Sequence, residues 1–253
     1  MHLIDTHAHI YLPEFDDCRE GELLAAKEKG IYKILMPAID ASTHGLMLNL
    51  EQKGHEYNSM MGVHPCSVKE GFEAELAEAE SWLQKRSFVA IGEIGLDFHW
   101  DITYKAEQYI AFHRQIEWAE AMGIPIAIHS RNATAECIEV IKQYPNLKGV
   151  FHCFSGSSEQ AAEITSLGFF LGIGGVLTFK NSGLDKAIEN ISLAHIVLET
   201  DAPYLAPVPF RGKQNKPSLL IYVAERLAQL KGVGVDEVAE VTTANAIKLF
   251  NLS

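Results

Sequence analysis

The sequence is short of cysteine, of basic charge and of long apolar runs, and each shortage excludes something. Four cysteines, Cys18, Cys66, Cys137 and Cys153, are scattered over 253 residues without a CxxC pair. That spacing builds neither a disulfide framework nor a thiolate metal site, and it suits a reducing compartment. No apolar stretch reaches the length that spans a bilayer, so no membrane helix is expected. No basic segment followed by an apolar one opens the chain, and the expectation is a cytoplasmic protein. Lys and Arg number 21 against 33 Asp and Glu, a net charge of −12. Such a balance argues against a broad basic surface for nucleic acid. It does not exclude a phosphate ligand where divalent cations are bound, because those cations become the largest local charges. A GxGxxG loop after the first strand, the mark of a doubly wound dinucleotide fold, is also missing.

What is present is an ordinary globular composition, 47% hydrophobic and 21% charged, with length for one large core. Apolar runs that read as strands fall near residues 3–5, 32–36, 57–63, 88–93, 124–128, 149–152, 169–173 and 196–200. Helical segments fill the gaps. Three of them stop at a glycine, Gly30, Gly123 and Gly168, immediately before a strand. Glycine ends a helix in the left-handed conformation without a Cβ clash. Ser157 to Gln160 reads as a capping box, and Pro217 suits the first turn of a helix that stops at Gly232. A last helix covers about 236–249. Eight strands alternating with helices give an α/β fold, a single (β/α)8 TIM barrel over residues 1–253.

In such a barrel the chemistry lies at the C-terminal ends of the strands. Strand one leads into His7-Ala8-His9, whose alternate side chains point the same way from extended backbone. Strand three leads to His64, strand four to Glu93, strand five to His129, strand six to His152 and strand eight to Asp201. A lone strand-end histidine is more often a hydrogen-bonded turn residue. Six chemically matched strand ends make a shared metal site the better reading. His44, His55 and His113 fall within predicted helices, and His195 lies before strand eight, at the opposite end. Four imidazoles (His7, His9, His129, His152) and two carboxylates (Glu93, Asp201) are too many donors for one tetrahedral zinc. They suit two divalent ions, with Glu93 as the bridge, and ions so placed would clamp the attacking and leaving oxygens of a displacement at phosphorus. Donor softness favours zinc or manganese, with magnesium a third candidate. The cluster Gly172-Ile173-Gly174-Gly175 reads as a tight turn or a close approach to a ligand.

With these residues in hand, the sequence resembles the TatD family of metal-dependent deoxyribonucleases, among the amidohydrolase-like barrels. The resemblance runs almost the whole length, through Ile4 to His9, Gly62 to Pro65, Gly92 to Asp97, His129 to Arg131, His152 to Gly156, Glu199 to Pro207 and Arg211 to Lys213. It implies a (β/α)8 fold, a divalent-metal site and hydrolysis of DNA, at ends or in single strands, with 3′-to-5′ polarity. It implies metal ligands at His7, His9, Glu93, His129, His152 and Asp201, and a phosphate contact at His64. Asp201 then also helps deprotonate the attacking water, and Arg211 is a second candidate for gripping phosphate. Asn132 and Phe210 depart from the family pattern beside the expected mouth. The rival expectations are an ester or amide hydrolase, such as a D-aminoacyl-tRNA deacylase, and a binding barrel with a vestigial site. No ligand is missing, which disfavours the second rival. Nothing in the sequence calls for a partner subunit, and a monomer is compatible with the site.

Overall fold

Among the described residues, eight short parallel strands form a ring. They are β1 (Leu3–Asp5), β2 (Ile31–Pro37), β3 (Tyr57–Met60), β4 (Ile91–Asp97), β5 (Ile126–Arg131), β6 (Gly149–Phe151), β7 (Phe170–Ile173) and β8 (Ile196–Leu198). The structure, a computed structural model, describes residues 1–252. The connecting α-helices are α1 (Arg19–Glu28), α2 (Ala41–Glu51), α3 (Phe72–Lys85), α4 (Lys105–Met122), α5 (Thr134–Ile141), α6 (Ser158–Ser166) and α7 (Leu184–Ile188). Two more, α8 (Leu220–Lys231) and α9 (Val235–Phe250), follow the last strand. Gly30, Gly123 and Gly168 all have positive φ, as the helix-stop reading requires. Ser157 and Gln160 form the capping box of α6, and Gly232 caps α8 in the left-handed conformation. No described helix is long and apolar enough to cross a membrane.

The strands pair in sequence order as two parallel segments, β1-β2-β3 and β4-β5-β6-β7-β8. Two seams join them. Met61 N–H donates to the Ala90 carbonyl at 3.2 Å, and Gly92 N–H to that of Met61 at 3.0 Å. On the other side Thr6 N–H donates to the Leu198 carbonyl (3.0 Å), Asp201 N–H to that of His7 (2.8 Å), and His9 N–H to that of Ala202 (2.7 Å). These bonds close the barrel where strand pairing alone leaves gaps. Asp5 reinforces the second seam. Its carboxylate accepts the backbone N–H of His7 (3.3 Å) and of Thr200 (2.9 Å) and the Thr200 hydroxyl.

Two apolar layers result. Inside the ring, Ile4, Leu35, Met60, Ala90, Ala127, Val150 and Val197 pack with Ala246, Leu249 and Phe250 of α9. The last helix thus closes the lower end of the barrel. It is tied there by Asn245, whose amide donates to the carbonyls of Leu193 and Ile196. Outside the ring, the alternate strand residues pack against the helices, as in Ile126 and Ile128 flanking Ala127. The strand period of two therefore sends Ala127 and His129, Val150 and His152, and Val197 and Glu199 to the same interior side.

Several boundaries differ from the sequence reading. β4 runs from Ile91 to Asp97 rather than stopping at Glu93. A buried acid in mid-strand is costly unless partnered, so the sequence suggests a strand end there; the partners arrive from four other strands. Gly95 allows the extension. It pairs with His129, and a Cβ on it would stand 2.1 Å from the His129 carbonyl oxygen. β3 and β8 are shorter than expected, because their last residues serve the seams. His55 lies in the turn after α2, not in a helix.

Replacing Asp5 with Ala should leave three buried donors without acceptors, two of them across the seam on Thr200, a loss of about 3 kcal/mol or more. Urea unfolding of Asp5→Ala against the parent measures it. A loss below about 1 kcal/mol would show that the seam does not depend on this carboxylate.

Candidate metal centre

Beyond β1 the chain stays extended. Ala8 bridges to Ala202 across the seam, which leaves His7 and His9 on one side, their rings 5.2 Å apart. Both are buried. Glu93 faces them from β4, where a register irregularity between Ile91 and Ile94 breaks the regular alternation and the side chain points inward. Its two oxygens divide the donors. Oε2 lies 3.2 Å from His7 Nε2 and 3.6 Å from His9 Nε2. Oε1 lies 2.9 Å from His129 Nδ1 and 2.7 Å from His152 Nε2. Asp201 completes the first group, its Oδ1 3.8 Å from His7 Nε2 and 3.7 Å from His9 Nε2. The His7–His9–Asp201 and His7–Glu93–His152 groups each bring their donor atoms within 4.8 Å of one another, close enough to share an ion.

Surrounding hydrogen bonds decide which ring nitrogens carry lone pairs. The Tyr11 hydroxyl donates to the Pro37 carbonyl at 2.7 Å, so its oxygen accepts from His9 Nδ1 at 3.1 Å. His9 Nε2 is then free to bind a cation. Asp97 Oδ2 accepts from His129 Nε2 at 2.8 Å, which leaves Nδ1 facing the pocket. His152 turns Nδ1 toward Glu199, 3.5 Å away, and Nε2 toward Glu93. A carboxylate–histidine pair such as Asp97–His129 orients a ligand and raises its basicity. His64 is the exception. Its Nδ1 accepts the Cys66 backbone N–H at 3.0 Å, so the neutral ring carries its proton on Nε2. That nitrogen sits 3.4 Å from Glu93 Oε1, and His64 enters the pocket as a hydrogen-bond donor rather than as a lone pair.

Burial sets the direction of the shifts at His7, His9 and Asp201, and charged neighbours set it at Glu93. Burial pushes the His7 and His9 imidazoles down to about 4 and about 3, with neighbouring histidines adding to the effect. Both rings are therefore neutral near pH 7, the form that binds a metal. Burial pushes the Asp201 carboxyl up to about 8, against the pull of His152 and with help from Glu93 and Glu199. Burial would also raise Glu93, but His152, His64 and His7 around it hold it well below the usual carboxylate range. Buried carboxylates facing buried imidazoles have few ways to be satisfied. Among the described residues, His7 Nδ1, His152 Nδ1 and Glu199 Oε2 have no hydrogen-bond partner. Divalent cations among these nitrogen and oxygen donors fit the set and would return Asp201 to its ionised form.

All six expected ligands and His64 thus converge. Arg211 does not join them: it is exposed, with its guanidinium 4.5 Å from the Phe179 ring centroid. Phe210 packs edge-on against Tyr222, and Asn132 takes a left-handed backbone conformation at the end of β5. The glycine cluster serves the protein rather than a ligand. A Cβ on Gly172 would lie 2.3 Å from Glu199 Oε2, and one on Gly175 would lie 2.1 Å from the Leu205 carbonyl oxygen. Sequence reasoning overlooked Asp97, Tyr11 and Glu199 as individual residues. Asp97 and Glu199 stood inside motifs already noticed, whereas Tyr11 carried no signal beyond its spacing of two from His9.

Asp97→Asn should weaken divalent-metal binding about 10- to 100-fold, read by competition with a fluorescent chelator. Unchanged affinity would separate Asp97 from the orientation of His129.

Comparison with known proteins identifies the family. The family described as TatD related DNase matches residues 4–251. An uncharacterized metal-dependent hydrolase of Bacillus subtilis, YabD, is 36% identical over 99% of this chain and 100% of its own. The 3'-5' ssDNA/RNA exonuclease TatD of Erwinia tasmaniensis is 30% identical, covering 99% of this chain and 100% of its own. The crystal structure of YjjV, a TatD homolog from Escherichia coli, superposes with a TM-score of 0.94 at 31% identity, covering 99% of this chain and 98% of that one. The chain belongs to the TatD-related DNase family and is a metal-dependent hydrolase.

Proposed function

We propose that this protein is a divalent-metal-dependent nuclease that trims DNA from ends or single strands in the 3′-to-5′ direction. The observation that carries the reading is Glu93, which offers one oxygen to His7 and His9 and the other to His129 and His152. A carboxylate shared in this way suits two cations, Mg, Mn or Zn, with His7, His9 and Asp201 on one side and His129 and His152 on the other. Such cations would act as Lewis acids toward phosphoryl oxygens. The relative whose name states a 3'-5' ssDNA/RNA exonuclease supports both polarity and substrate class.

The chain's own residues then divide the work. The Asp201 side chain is 13% exposed while that of Glu93 is 3% exposed. Asp201 is therefore the carboxylate that can meet solvent and accept a proton from an attacking water. His64, with its proton held on Nε2, donates to a phosphoryl oxygen as charge develops there. Arg211, at the outer edge of the mouth, is left for a more distant phosphate. The barrel acts as one domain. A cytoplasmic site of action suits its four unpaired cysteines.

Incubation with 5′-labelled single-stranded DNA, RNA and a D-aminoacyl-tRNA, each with Mg²⁺, Mn²⁺, Zn²⁺ or chelator, tests the proposal. The expected result is a ladder shortening from the 3′ end, abolished by chelator. Asp201→Asn should slow it at least about 100-fold without loss of fold, in line with the size of general-base effects. Deacylation of the tRNA with no cleavage of any nucleic acid would overturn the nuclease reading.

A further inference from the structure

The segment after β4 holds an indole in water. Trp100 is 69% exposed, more than any other large hydrophobic side chain among the described residues. Burial would stabilise it, yet the turn that carries it is fixed. Asp97 Oδ1 accepts the backbone N–H of His99 at 2.9 Å and of Trp100 at 3.2 Å. Phe98 N–H donates to the Arg131 carbonyl at 2.9 Å, tying the turn to β5. The other oxygen of Asp97 is the one that orients His129. One carboxylate therefore positions both a candidate ligand and the exposed ring.

The surroundings of the ring are also specific. The Arg131 guanidinium lies 5.0 Å from its centroid, and the His99 ring meets it edge-on at 4.8 Å. A guanidinium near an indole adds cation–π attraction, and most of the Trp100 ring stays in contact with solvent. Arg131 also brings positive charge to the rim of an acidic protein. An exposed aromatic ring beside a cation, at the mouth of a site for phosphate chemistry, matches the stacking platforms that hold unpaired bases.

We infer that Trp100, backed by Arg131, is a stacking platform for the base of a terminal nucleotide, so that the enzyme prefers ends bearing an unpaired base over abasic ends. This rests on the nuclease reading of the neighbouring site.

Two measurements on the metal-loaded protein test it. Deoxyguanosine 5′-monophosphate should quench the tryptophan fluorescence, and deoxyribose 5-phosphate should not. The quench should vanish in Trp100→Phe and persist in Trp82→Phe. In cleavage assays, Trp100→Ala should raise KM at least about tenfold for an oligonucleotide with a normal 3′-terminal nucleotide. An abasic 3′ end should change far less, and Trp100→Phe should recover most of the loss. Equal effects on both ends, or no quench by the mononucleotide, would overturn the platform. If the wild-type protein shows the Trp100-dependent quench but cleaves no nucleic acid, the platform stands and the nuclease reading falls. If it cleaves DNA and Trp100→Ala keeps its KM, only the platform falls. A shift in sedimentation on Trp100→Ala, without any base-dependent change, would reassign the ring to contact between protein copies and overturn the inference.

Discussion

A single carboxylate, Glu93, lies between two sets of imidazoles at the top of the barrel, and the rest of the structure is arranged around that contact. His7 and His9 reach it from one side, and His129 and His152 reach it from the other. An acid buried this deeply is tolerable only if positive or hydrogen-bonding groups surround it. The closed ring of strands supplies them, because only a closed ring brings the ends of β1, β4, β5 and β6 to one point. The seam bonds through His7, His9 and Asp201 carry candidate ligands as well as closing the barrel.

Around this centre lies a shell that sets proton positions. Pro37 holds Tyr11, which holds His9; Asp97 holds His129; Glu199 faces His152; Cys66 holds His64. The shell explains why five histidines in one pocket are not equivalent. In their neutral forms His9 and His129 turn a lone pair inward, and His64 turns a proton inward. Part of the cost of building this arrangement shows in the backbone. Asn132, Cys153 and Asp201 adopt left-handed conformations shortly after β5, β6 and β8; Asn and Asp tolerate this readily, and Cys153 bears a cost of about 1–3 kcal/mol. The apolar layers inside and outside the ring offset that strain.

Much of this was legible in the sequence, for a physical reason. Strand ends in a parallel barrel are read from apolar runs that stop at a polar residue, and His129, His152 and Asp201 stop their runs cleanly. Glu93 misled about its strand, because its partners are distant in sequence and make a mid-strand acid tolerable. Asp97 was hidden by the same error. Tyr11 and the Cys66 N–H act through hydrogen bonds that no spacing rule encodes. Arg211 reads from its motif as a phosphate grip, and the Pro-rich loop after β8 sets its guanidinium over Phe179, outside the cluster around Glu93. Trp100 carried no signal at all, since exposure of one ring depends on the turn that Asp97 holds.

The central claim is that Glu93 joins two cation positions. Crystals grown with Mn²⁺ and measured at the manganese absorption edge test it most directly. The account predicts two anomalous peaks about 3.5–4 Å apart, one beside His7 and His9 and one beside His129 and His152, with Glu93 between them. A single peak, or two peaks with Glu93 bound to neither, would contradict it.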